Sequence, residues 1–318
     1  MNRTADVARV DFGGCVLLCD DGRVLDAKVR GKLMGPRKSL GNAVVPGDRA
    51  RYVLEHGRAL VEEVLPRKNV FSRRAPGARP AEQVVAANLD RVVVVASILH
   101  PEFKAGLCDR VLAQAQHCGI ECALVVTKTD LARPAEVRVL LDDYRAAGYA
   151  AHATSTVSGA GIEPLREAWR GRRSLLVGHS GVGKSTLLNA LVPGLELLAG
   201  LVNAKTLKGR HTTSATWLVR PQPGTDLIDT PGVRAFGLWG IGCRDLERAY
   251  PEFRRYLGKC RFTNCRHEGD AGCALRAALD GGAIAARRFE SFLKLRAELE
   301  REESGELERV RPTTRFRR

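Results

Sequence analysis

The sequence has no long hydrophobic run. Its longest apolar stretch, residues 92–96, is far shorter than the roughly 20 apolar residues that a membrane-spanning helix needs. Residues 1–11 carry acidic side chains and lack the apolar core of a secretion signal. A membrane or secreted protein is therefore not expected, and a cytoplasmic location is predicted.

Acidic and aromatic residues are both scarce. The 318 residues include 36 Asp and Glu against 51 Lys and Arg, a net charge of +15, and only 5% aromatic residues. A small ligand does not require such an excess of positive charge, so a large polyanion is expected as a partner, with RNA or DNA first. Without a secretion signal, the nine cysteines are expected to be reduced thiols.

One glycine-rich stretch has the spacing of a phosphate-binding P-loop. Residues 178–186 follow an apolar strand and precede an apolar helix, which is the context that a P-loop requires. Backbone N–H groups and the helix N-terminus suit phosphate oxygens there. Lys184 is expected to reach the β and γ phosphates, and Ser185 to bind Mg²⁺. The predicted loop comprises Gly178, His179, Ser180, Gly181, Val182, Gly183, Lys184, Ser185 and Thr186.

A second motif follows the predicted strand at residues 123–126. Asp130 can accept hydrogen bonds from guanine N1–H and the 2-amino group, which adenine does not offer. GTPases usually carry Asn at the first position of this guanine motif, and Thr127 departs from that. A strand end near residue 154 is expected to supply a backbone contact to the guanine carbonyl oxygen. The predicted guanine-binding residues are Thr127, Lys128, Thr129, Asp130, Thr154 and Ser155.

The phosphate side of the site has two further segments. Asp229 ends an apolar strand and is expected to hold Mg²⁺ through water, and the Gly232 N–H is expected to contact the γ phosphate. Between the P-loop and Asp229, Thr212 or Thr213 is expected to complete the Mg²⁺ shell. The guanine motif precedes the P-loop, the reverse of the usual order, so the sequence predicts a circularly permuted GTPase.

The predicted site lacks the catalytic glutamine of Ras-like enzymes. Val233 stands where Ras-like enzymes carry the glutamine that orients the attacking water. Slow intrinsic hydrolysis with strong stimulation by a partner is therefore predicted, with Lys184 and Gly232 acting on the phosphates. His211 is the candidate for placing the water. The alternative is that His211 contacts only RNA or protein.

Four clustered residues suit a metal. Cys260, Cys265, His267 and Cys273 are spaced as the ligands of a closed, tetrahedral, structural zinc site. The other cysteines are scattered and are expected to be small core or surface residues. After the cluster, residues 283–303 are predicted to form a charged helix, followed by a basic tail.

The predicted fold is α/β, in three domains. Alternation up to residue 68 predicts a small β-barrel, with an oligonucleotide-binding (OB) barrel as first choice, although periodicity alone does not separate it from other barrels. Its loop residues Lys32, Arg37 and Lys38 are predicted to contact RNA phosphates. Residues 71–80 are predicted to be an exposed linker whose arginines do the same. A doubly wound P-loop domain is expected at 69–242, and a zinc-binding domain at 243–318.

Taken together, these motifs closely resemble the RsgA (YjeQ/EngC) family of ribosome small subunit-dependent GTPases. The resemblance covers the barrel, the permuted motifs and the four zinc ligands. It implies a late assembly factor that binds the small ribosomal subunit and its rRNA, hydrolyses GTP faster there, and leaves afterwards. A monomer with one structural Zn²⁺, and Mg²⁺ with its GTP, is expected.

Other interpretations remain open from the residues alone. A non-catalytic RNA-binding scaffold would use the nucleotide site only for stability, and Lys184 and Asp229 argue against it. A P-loop ATPase or small-molecule kinase is opposed by Asp130. A GTPase acting on another polyanion, such as mRNA or a membrane, is a third alternative.

Overall fold

The computed structural model describes residues 3–11, 14–33, 42–77, 80–195, 215–232 and 235–304, apart from the side chain of Lys32. Five N-terminal strands close a barrel in the order β1-β2-β3-β5-β4, because β4 also pairs with β1. The predicted small β-barrel is confirmed, and within it β3 pairs in parallel with β5. The strands are β1 (Arg3–Asp11), β2 (Gly14–Leu18), β3 (Val24–Val29), β4 (Arg49–Glu55) and β5 (Arg58–Val64).

Alternation along the barrel strands decides which side chains face its interior. In β3, Ala27 and Val29 are buried, whereas Asp26 and Lys28 are exposed. Successive residues of a strand point to opposite faces, so this period of two places the apolar set inside. The interior also takes Val7, Leu17, Tyr52 and Val61, which are all buried.

The prediction of an exposed linker at residues 71–80 is wrong, because this segment begins in a β-hairpin. Strands β6 (Val70–Arg74) and β7 (Glu82–Ala87) form an antiparallel sheet of two strands. Phe71 is fully buried and its ring stacks on Phe236 at 5.7 Å between centroids. Packing of Phe71 on Phe236, which is distant in sequence, favours the hairpin, although the arginine, proline and glycine content of the segment is typical of a linker.

The hairpin arginines also have partners within the protein. The Arg73 Nε donates to Gln83 at 3.0 Å, and burial lowers the pKa of Arg73. Arg74 pairs with Glu302 at 2.8 Å. The predicted phosphate contacts of these two arginines stay a prediction.

The second unit is a doubly wound α/β sheet, as predicted. Five strands are parallel in the order β10-β9-β8-β11-β13, and β12 is antiparallel beside β13. Separate apolar clusters cover its two faces, which is why every residue of β8 is buried. The strands are β8 (Arg91–Ser97), β9 (Glu121–Thr127), β10 (Ala150–Ala153), β11 (Arg173–Gly178), β12 (Trp217–Gln222) and β13 (Thr225–Asp229); the helices are α1 (Ala105–His117), α2 (Pro134–Ala146), α3 (Ile162–Trp169) and α4 (Lys184–Leu191).

The barrel and the α/β sheet are joined by backbone pairing and by charge. Strand β12 pairs with β1. Beside this pairing, the buried carboxylate of Asp6 accepts from Arg220 at 2.6 Å and lies 3.2 Å from Arg173. Both arginines also pair with Asp226 at 2.7 Å. Two buried carboxylates thus share two arginines across the junction.

The C-terminal unit is helical. It contains α5 (Cys243–Arg248), a 3₁₀ helix (Pro251–Tyr256), α6 (Ala274–Asp280) and α7 (Ala286–Glu303) around its own apolar core. The helix predicted for residues 283–303 thus begins at residue 286. No helix within the described ranges is long and apolar enough to cross a membrane.

Helix α7 also attaches this unit to α1 through a buried arginine. Arg288 is 1% exposed and donates to Asp109 of α1 at 2.5 Å and to Glu252 of the 3₁₀ helix at 2.7 Å. Its guanidinium lies over the ring of Tyr250, 4.4 Å from the centroid. Nearer the end of α7, Glu298 pairs with Arg110 of α1.

Candidate nucleotide and zinc sites

The predicted P-loop connects β11 to α4. Gly181 and Gly183 have φ values of 83° and 86°, a left-handed backbone that glycine adopts without strain. Lys184 is buried at the first residue of α4, and Ser185 beside it is exposed. The loop therefore ends at a helix N-terminus that carries a lysine and a hydroxyl, an arrangement that suits phosphate groups.

Strand β13 brings Asp229 to this loop. It runs parallel to β11, with Asp229 opposite Leu176, so both strands end at the same edge of the sheet. The Lys184 Nζ donates to the Asp229 carboxylate and to the carbonyl oxygen of Thr230. Burial raises the pKa of Asp229, and the charge of Lys184 opposes that rise.

Gly232 lies against the P-loop. A Cβ built at this position would lie 2.9 Å from Ser180 Cα and 3.1 Å from Ser180 N. Real Cβ atoms do not approach backbone so closely, so only glycine fits here without a backbone shift. The segment after β13 thus touches the loop at the end expected to hold phosphate.

Thr127 ties the guanine motif to the P-loop. It is buried at the end of β9, and its hydroxyl donates to the carbonyl oxygen of Val182 at 2.5 Å. Lys128, with φ of 58°, donates from Nζ to the carbonyl oxygens of Gly181, at 2.8 Å, and of His100. Two segments far apart in sequence are therefore held together, and threonine makes the contact although the motif usually has asparagine.

The Asp130 carboxylate is supported by Ser155, whose hydroxyl donates to it at 2.5 Å. The predicted backbone contact needs a correction, because the N–H of Thr154 donates to Val126 at 2.8 Å and that of Ser155 to Ala160 at 3.0 Å. Both N–H groups are used within the fold. The next one, of Thr156, has no hydrogen-bond partner among the described residues. Thr156 was not among the predicted residues, because a strand end predicted from sequence is uncertain by one or two residues.

Several predicted site residues lie outside the described ranges. They are His211, Thr212, Thr213, Arg37 and Lys38, and for Lys32 only the backbone is described. Their roles stay predictions.

The four predicted zinc ligands come together. One donor atom from each of Cys260, Cys265, His267 and Cys273 lies within 4.8 Å of the others. The His267 Nδ1 lies 3.7, 3.4 and 3.2 Å from the three sulfur atoms. Zn–S bonds of about 2.3 Å and Zn–N bonds of about 2.0 Å in a tetrahedron require similar separations, so the donor set fits zinc.

A carboxylate that was not predicted lies beside this cluster. Glu247 of α5 lies with Oε1 3.3 Å from His267 Nε2. Glu247 lies well before Cys260, the first cysteine of the cluster, in the sequence. No motif spacing therefore indicates the contact.

Comparison with solved structures supports the same architecture. The crystal structure of YjeQ from Thermotoga maritima matches with a TM-score of 0.73 and 29% identity, over 94% of this chain and 99% of that one. The structure of YloQ, described as a circularly permuted GTPase, matches with a TM-score of 0.70 and 21% identity, over 95% and 96% of the two chains. The predicted permuted fold is thereby confirmed.

Curated relatives match most of this chain in sequence. The small ribosomal subunit biogenesis GTPase RsgA of Gemmatimonas aurantiaca is 40% identical over 283 residues, 88% of this chain and 92% of the relative. The protein of the same name from Bacteroides fragilis is 35% identical over 90% of this chain and 93% of the relative. The model of the RsgA GTPase family matches residues 64–239. As the motifs predicted, the chain belongs to the RsgA GTPase family.

Proposed function

We propose that this protein is a GTPase that acts in the biogenesis of the small ribosomal subunit, is stimulated by that subunit, and dissociates after hydrolysis. The hydrogen bond from Thr127 to Val182, 2.5 Å long, is the observation that carries the nucleotide part, because it joins the guanine motif to the P-loop. The names of the relatives support the biological part.

Each described site residue has a chemical role in this proposal. Asp130, held by Ser155, accepts from the guanine N1–H and 2-amino groups, and the Thr156 N–H faces the guanine carbonyl oxygen. The P-loop backbone, with Lys184, binds the phosphates, and the Gly232 N–H contacts the γ phosphate. Interactions at the γ phosphate lower the barrier only to the extent that they strengthen in the transition state.

The proposed Mg²⁺ site uses the Ser185 hydroxyl and the Asp229 carboxylate, both hard oxygen donors. When bound, the ion would neutralise charge that develops between the β and γ phosphates. Burial of Asp229 and its contact with Lys184 hold this carboxylate at the phosphate edge. His211 stays the proposed residue for placing the attacking water.

Binding of the subunit is proposed to rest on charge. A net charge of +15 favours RNA phosphates, and an affinity that falls with salt follows from release of counterions. Arg37, Lys38 and Lys32 remain the proposed contacts of the barrel. The protein is proposed to act as a monomer, with one structural zinc at Cys260, Cys265, His267 and Cys273.

The test is GTP turnover by the zinc-loaded protein with and without purified small ribosomal subunits, at low and high salt. A supplied transition-state group is worth about 10³–10⁵ in rate, so strong stimulation that fades with salt is expected. Asp130→Asn should abolish GTP preference over ATP, whereas Asp142→Asn on the exposed side of α2 should not. No stimulation with GTP still bound would favour the scaffold alternative.

A further inference from the structure

The imidazole of His267 is oriented by contacts at both ring nitrogens. Its backbone has φ of 65° and its side chain is buried. Nδ1 faces the sulfur atoms of Cys260, Cys265 and Cys273 at 3.7, 3.4 and 3.2 Å. Nε2 points away from the cluster, toward Glu247 Oε1 at 3.3 Å. A neutral imidazole that gives the Nδ1 lone pair to a metal must carry its proton on Nε2.

Glu247 is itself held in place. The same oxygen, Oε1, accepts from Arg296 Nη1 of α7 at 2.9 Å. Arg296 is 12% exposed at its side chain, and its Nε donates to Glu300 at 3.1 Å. Glu300 in turn pairs with Arg266, the residue before His267. The carboxylate is thus fixed between the imidazole and the last helix.

We propose that Glu247 is a positioning residue for zinc: it accepts the Nε2 proton of His267 and so fixes Nδ1 as the zinc-binding atom. Carboxylate partners of this kind hold the ligand ring in one orientation and raise its basicity. Arg296 holds the carboxylate in line with the imidazole, so the zinc ligand set is linked through Glu247 to α5 and α7. The inference rests on the zinc site of the proposed function.

The experiment compares zinc affinity in the full-length protein, by competition with a chromophoric chelator. Glu247→Ala should lower the affinity about 10- to 100-fold. Glu247→Gln keeps an oxygen acceptor for Nε2–H and should recover part of the loss. Glu268→Ala is the matched control, since Glu268 is exposed, follows His267 directly and makes no hydrogen bond to another described residue; it should stay within about twofold of the wild type.

A second readout separates positioning from damage to the ligand set. Cobalt(II)-loaded protein should keep the absorption of three thiolates and one imidazole in every variant, because Glu247 does not bind the metal. If Glu247→Ala does not fold, Glu247→Gln and Arg296→Gln carry the test, and each should lower zinc affinity at least threefold.

Two results would overturn different claims. Suppose that the wild type binds one zinc and that the folded Glu247 variants bind it with the same affinity. Glu247 would then have no role in the site, and the proposed zinc site itself would stand. A wild-type protein that binds no zinc would instead overturn the zinc site itself.

Discussion

Replacing Arg288 by methionine should strongly destabilise the protein. Arg288→Met removes the cation that faces Asp109 at 2.5 Å and Glu252 at 2.7 Å. Their side chains are 0% and 3% exposed, and a buried charge left without its partner costs about 3–5 kcal/mol. Loss of the cation–π contact with Tyr250 adds about 0.5–2 kcal/mol. For domains of 150–250 residues, the unpaired-charge contribution of about 3–5 kcal/mol alone corresponds to a fall in melting temperature of roughly 6–20 °C.

The assay is urea and thermal unfolding of the full-length, zinc-loaded protein at pH 7, followed by tryptophan fluorescence. The triple variant Arg288→Met, Asp109→Asn, Glu252→Gln leaves no unpaired charge and should regain most of the lost stability. Arg287→Met is the control, because the neighbouring Arg287 pairs with Asp143 at a half-exposed site and should cost at most about 1 kcal/mol. A loss below 1 kcal/mol for Arg288→Met, or no recovery in the triple variant, would refute the reasoning.

Two further predictions concern the hydrogen bonds of Thr127 and of Glu298. Thr127→Val removes the donor to Val182 and should cost about 1–3 kcal/mol of stability, with at least tenfold weaker binding of GDP measured by fluorescence titration; unchanged binding would contradict the proposed tie. Glu298→Gln should cost about 0.2–1 kcal/mol at pH 7. The Arg110 guanidinium holds the pKa of Glu298 below its ordinary value, so this contribution is present above the unfolded pKa and is lost as pH falls through the folded one. Urea unfolding at pH 7 and pH 3 checks it, and an equal difference between wild type and variant at both values would oppose it.

Motifs whose residues are close in sequence were predictable. The P-loop, the guanine motif and the four residues of the Cys/His cluster each lie within a short segment, and the structure brings the four cluster residues together. The β-barrel was predicted from apolar residues that alternate with polar ones along the chain. The doubly wound sheet was predicted from short, continuous apolar runs. The division into domains at residues 68 and 242 stays a prediction.

Features that depend on distant partners were not predictable. Phe71 belongs to a hairpin whose position depends on its ring packing against Phe236. The residues around Phe71 in the sequence give no sign of Phe236, and those around Phe236 give no sign of Phe71. Glu247 and Arg288 look like ordinary charged helix residues in the sequence. Only the packing of α5 and α7 brings them to His267 and Asp109.

The junction between barrel and sheet has a consequence for aggregation. Strand β12 is the last strand of the α/β sheet, and the last strand of a sheet offers unpaired backbone groups to other chains. Here Trp217 pairs with Arg9, Arg220 binds the barrel residue Asp6, and Pro221 has no N–H to offer. The opposite last strand, β10, is only four residues long. We therefore expect a chain without its barrel to expose β12 as a template for strand addition and to self-associate.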